Sequence, residues 1–99
     1  MINDVRKFDV GRILSTPAAI ETIRAAGQRS SQFLRRHMKC DWGVLCEEDK
    51  SLNDQALVDG SRLLSSYETV AGDKIWIITE AKDQNGKRLA TTILLPSEY

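Results

Sequence analysis

The chain has 99 residues, 41% hydrophobic and 28% charged, the profile of one folded domain rather than of a disordered chain. Its 14 basic and 14 acidic residues cancel, which argues against a strongly basic nucleic-acid binder and removes charge repulsion as a barrier to self-association. The longest wholly apolar runs, Ile75–Ile78 and Ile93–Leu95, fall far short of the roughly 20 residues that cross a bilayer.

The opening MINDVRKFDV mixes charges of both signs and carries no targeting pattern; residues 1–9 are read as a candidate disordered start. Val10–Ser15, VGRILS, is a short β-prone segment. TPAAIETIRAAG is a helix: Thr16 caps it, Pro17 fits the first helical position, and Ala19, Ile20 and Ile23 form its apolar stripe. Gly27 supplies the left-handed residue that closes it. RSSQFLRRHMKC is a second helix, capped by Ser30 or Ser31, with Phe33, Leu34, His37 and Met38 on one face. DWG breaks it, and Trp42 folds back over the helices or the sheet. CEEDKSLNDQALVDG is a third helix with an acidic first turn, a buried stripe at Leu52, Ala56 and Leu57, and Gly60 at its end.

From Arg62 the period changes to two. RLLSSYETV, the turn AGD, KIWIITEA, the hairpin signal Asn85-Gly86 and RLATTILLP describe an antiparallel meander ended by Pro96. The fold expected is α+β: three helices packed on one face of a three- to four-stranded antiparallel sheet, in the order β-α-α-α-β-β-β, as a single domain over residues 1–99.

The densest cluster of rare residues is HMKCDWG, residues 37–43, which holds the only histidine, one of two cysteines and one of two tryptophans. His37, Cys40 and Cys46 do not make the two ligand pairs of a structural zinc site, so no metal and no cofactor is expected. Instead His37 is expected to hydrogen-bond locally, to Asp41 or a carbonyl of the following turn. Two cysteines without a secretory segment imply reduced thiols and a cytoplasmic location.

The segments TPAAIETIRAAGQ, FLRRH, CDWG, EEDK, RLLSSY, GDKIWIITEA and TTILLPSEY together resemble a family of short bacterial proteins often labelled plasmid-related. The resemblance runs from Val10 to Tyr99. It implies a mobile-element origin and names no reaction. In similar sequences a glycine stands in place of Cys40. Some members carry the label of a type I restriction endonuclease subunit M, which implies a methyltransferase. This chain is too short for that fold, and it lacks a Gly-rich loop after a strand.

Two functions follow. One is a non-enzymatic accessory or regulatory protein of plasmid or phage type, binding a protein partner or a second copy of itself through Trp42, Tyr67, Trp76 and Tyr99, aromatic residues with polar handles. Along KIWIITE, Ile75 and Ile77 point one way and Trp76 and Ile78 the other; helices covering one face leave the other apolar and open. The alternative is a small ribonuclease of the bacterial toxin type, with Arg62, Tyr67 and Glu80 on the sheet surface and His37 from a helix as base, acid and phosphate-binding groups. Nucleic acid is not the favoured partner, and no membrane is expected.

Overall fold

The computed structural model describes residues 7–99. Strand β1 (Arg12–Ser15) leads into helices α1 (Pro17–Ala25), α2 (Ser30–Met38) and α3 (Glu47–Asp59); strands β2 (Leu63–Glu68), β3 (Lys74–Thr79) and β4 (Ala90–Leu94) follow, and a single 3-10 turn, Pro96–Glu98, ends the described chain. The element order and the α+β architecture are those expected. The sheet is mixed rather than antiparallel throughout: its spatial order is β1-β4-β3-β2, and β1 runs parallel to β4. The cause lies in connectivity: three helices and two hairpin turns separate β1 from β4 and bring β4 back beside it running in the same direction. Residues 7–9 belong to the fold, with Phe8 packed edge-on against His37 and tilted against Trp42; the rest of the 1–9 start lies outside the described residues.

Each helix boundary has a local cause. Thr16 accepts a hydrogen bond from the Ala19 N–H, and Pro17 occupies the first turn of α1. The N-cap of α2 is Arg29 rather than a serine; Gln32 reaches back to accept from the Arg29 N–H. α1 and α2 end in the same closing motif. In α1 the Gly27 N–H donates to the Arg24 carbonyl and the Gln28 N–H to Ile23; in α2 the Cys40 N–H donates to His37 and the Asp41 N–H to Arg36. The motif requires a left-handed residue. Gly27 supplies it in α1 at φ 72°, and Cys40 supplies it in α2 at φ 64°, the one non-glycine with positive φ among the described residues.

The helix-facing side of the sheet carries the first core cluster. Tyr67, Ile75, Ile77 and Ile93 pack against Ala19, Ile23 and Phe33. A second cluster gathers Trp42, Ala56 and Leu63 under Phe8, Cys40, Leu45 and Leu57. Two expected stripes are rotated. Ile20 is exposed, so α1 buries Ala19 and Ile23 alone, and Leu52 is 64% exposed while its neighbour Asn53 is buried. Asn53 has a polar task that displaces the leucine: its amide donates to the Leu64 carbonyl and accepts from the Leu64 N–H at 2.6 and 3.0 Å, as a neighbouring strand would.

The outer edge of β2 is filled by that amide and by the segment after α2. The Val44 N–H donates to the Ser66 carbonyl and the Ser66 N–H to the Trp42 carbonyl. Gly43 between them sits at φ 80°, where a Cβ would fall 1.9 Å from the Ser66 oxygen. Here glycine is required by both conformation and close approach.

Candidate functional site

HMKCDWG joins the end of α2 to the sheet through side-chain hydrogen bonds. His37 is fully buried, and both ring nitrogens face hydroxyls on the sheet: Nδ1 meets Ser65 Oγ, and Nε2 lies 2.8 Å from Thr79 Oγ1. Thr79 Oγ1 lies 2.7 Å from Thr91 Oγ1, which donates to the Val10 carbonyl. Counting protons orders the chain. Thr91 has given its only proton to Val10, so Thr79 donates to Thr91 and must accept from His37 Nε2–H; Nδ1 then accepts from Ser65. The local partner expected for His37 is corrected accordingly. Asp41 binds Arg36 instead, at 2.7 Å, and accepts from the Gly43 N–H. Burial holds the His37 pKa down at about 4. The Arg36 guanidinium holds the Asp41 carboxyl below its ordinary value, and burial pushes the Cys40 thiol up. Among the described residues, no three His, Cys, Asp or Glu side chains gather as a cation cage.

The residues named for a ribonuclease do not converge. His37 and Tyr67 lie beneath the helices, where the Tyr67 hydroxyl donates to the Asp41 carbonyl at 2.7 Å and burial raises its pKa far above the ordinary value. Arg62 and Glu80 are exposed, with Arg62 bound to the Tyr99 hydroxyl. Arg88 is a buried scaffold residue: its guanidinium donates to the carbonyls of Ser61, Glu80 and Ala56, tying the end of α3 to the sheet.

The four aromatic residues named for binding divide in the same way. Trp42, at 4% exposure, is core, with its Nε1–H on Asp54. Tyr67 is core as well. Trp76 and Tyr99 stand on the face away from the helices, their rings edge to face at 5.7 Å, with the Arg62 guanidinium 5.3 Å from the Tyr99 ring centre. The strand register builds the rest of that face. Leu14, Thr92, Ile78 and Leu64 form one row across all four strands, and Leu94, Trp76 and Ser66 a second. No helix lies across the middle of these rows, though α3 borders them at Leu64; the 3-10 turn and Tyr99 shield them in part, Leu94 and Ser66 are buried, Trp76, Ile78, Thr92 and Leu64 are half-buried, and Leu14 is 41% exposed at the β1 end. At the β2 end, Leu45, Asp49, Leu52, Asn53, Arg62 and Leu64 line a groove of about 200 Å³.

Sequence alternation set Trp76 and Ile78 on the face opposite Ile75 and Ile77 but did not say which of the two is open. It missed Leu14 and Leu64, whose membership depends on which strands are neighbours. No protein family, curated protein or solved structure matches this chain. No helix among the described residues is long and apolar enough to cross a membrane.

Proposed function

We propose that this chain is an interaction module, an accessory protein of mobile-element type that acts by binding a protein rather than by turning over a substrate. The observation that supports this reading most is the helix-free face of the sheet, with its row Leu14, Thr92, Ile78 and Leu64 beside Trp76 and Tyr99. A mainly apolar row, interrupted by Thr92, with the exposed charges of Arg62 and Glu80 beside it, has the composition of a binding patch. No observation favours the ribonuclease alternative, since its residues are divided between opposite sides of the sheet.

Site-specific photo-crosslinking in the cells that produce the protein tests this. A photoreactive amino acid at position 14 or 78 should trap a discrete protein partner, a second copy or another chain. The same group at Val58, 81% exposed on α3 and in neither row of this face, should not. Equal labelling from all three positions, or none from any, would sink the reading.

A further inference from the structure

The edge of β1 carries an inference that rests on the interaction reading and names its partner. In a parallel pair, alternate residues turn both backbone groups toward the neighbouring strand. Arg12 and Thr16 donate to the Leu89 and Ile93 carbonyls of the β4 side, so the even-numbered residues face β4. Ile13 and Ser15 face outward, and among the described residues neither has a backbone partner on that side. Their exposed strand is a template for another strand.

We infer that the free edge of β1 pairs antiparallel with β1 of a second copy, about a twofold axis through Leu14, joining two four-stranded sheets into one. The register follows from the groups available. Centring on Leu14 lets Ile13 exchange both backbone bonds with the partner's Ser15, and Ser15 with the partner's Ile13. Centring on Ile13 instead would call on Gly11, whose N–H is already held by the Asp9 carboxylate and whose φ of 62° takes it out of the strand.

Three side-chain features fit the same register. Leu14 meets the partner's Leu14 in a narrow, non-hydrogen-bonded pair, which joins the Leu14, Thr92, Ile78 and Leu64 rows of the two copies across the axis. Arg12, which has no ion-pair partner among the described residues, comes to lie opposite the partner's Thr16. In the chain itself, the Thr16 hydroxyl donates to Glu98 Oε1 at 2.7 Å, which places a carboxylate where the incoming arginine arrives. By symmetry the charge pair forms twice, and zero net charge sets no general repulsion against it.

Sedimentation velocity across micromolar to millimolar concentrations reads the association, and two variants read the register. Leu14→Cys in a Cys46→Ser background should form a disulfide dimer on mild oxidation, because the narrow pair brings the two thiols together; Val58→Cys in the same background should stay monomeric. Arg12→Glu sets like charges against each other twice and should weaken the dimer about tenfold while leaving the circular dichroism spectrum unchanged. A wild-type chain that stays monomeric throughout overturns the inference. So does a dimer that Leu14→Cys fails to trap and Arg12→Glu fails to weaken. Either result leaves the broader reading to the photo-crosslinking test, where a different protein can still be trapped from position 14 or 78.

Discussion

The Nε2 atom of His37 lies 2.8 Å from the Oγ1 atom of Thr79, a residue 42 positions further along the chain, and both side chains are fully buried. The contact joins α2 to the middle of the sheet. Because the proton chain runs from Ser65 through His37, Thr79 and Thr91 to the Val10 carbonyl, it also ties β2, β3, β4 and the segment that leads into β1 to one helix.

This network makes stability depend on pH in a defined window. The folded pKa of His37, about 4, lies below the ordinary 6.5, so the unfolded chain binds the proton more tightly. The stabilisation is fully present above about pH 6.5 and is lost as pH falls toward 4, for a total of about 3 kcal/mol. Urea midpoints measured between pH 7 and 4 should fall along this curve. In His37→Gln the slope in that window should flatten, even though the variant is less stable throughout. An unchanged slope would place the titration elsewhere.

Cys40→Gly should stabilise the protein by about 0.5–1 kcal/mol, because a left-handed residue at the end of α2 costs a side chain what it does not cost glycine. The gain is the difference between strain relieved and the packing of a half-buried sulfur lost. α1, which closes with glycine in the same motif, is the internal reference. Thermal unfolding of the two proteins decides the sign.

Trp42→Ala should cost about 3–5 kcal/mol, the range for emptying a large buried aromatic site. The ring packs with Ala56 and Leu63 and is flanked by Phe8 and His37, so the second core cluster loses its centre. Trp76→Ala removes a half-buried ring from the open face and should cost distinctly less. Equal losses would contradict the assignment of one tryptophan to the core and the other to the surface.

Arg88→Lys is not conservative here. One ammonium cannot reproduce a planar fork that donates to Ser61, Glu80 and Ala56 at 2.7–3.0 Å, so at least one of these three carbonyls would lose its guanidinium donor. A loss of about 2 kcal/mol is expected by chemical denaturation. Hydrogen exchange should quicken first at Gly60 and Lys82, whose backbone bonds adjoin those carbonyls.

The sequence was legible wherever a local rule decided the outcome. Thr16-Pro17, Gly27, Gly60 and Asn85-Gly86 mark boundaries that the fold respects, and alternation in KIWIIT set Ile75 and Ile77 on one face and Trp76 and Ile78 on the other without saying which is core; the structure buries the first pair. It was less legible where a distant partner decided. Asn53 is buried because a strand edge needs its amide, and hydrophobic periodicity assigns that place to Leu52. The partners of His37 lie 28 and 42 residues away, beyond any reading of neighbours. The direction of β1 depends on the whole intervening path. Cys40 takes a left-handed position that cysteine itself does not signal.

The sheet has unlike rims. At β2, the Asn53 amide and the strand-like crossing at Trp42–Val44 occupy the backbone groups that another chain would need, and a side chain at Gly43 would break the seal. Growth by strand addition is thereby one-ended. Two copies joined at β1 would present only sealed rims to a third, so the assembly terminates at a pair and cannot run on into a fibre.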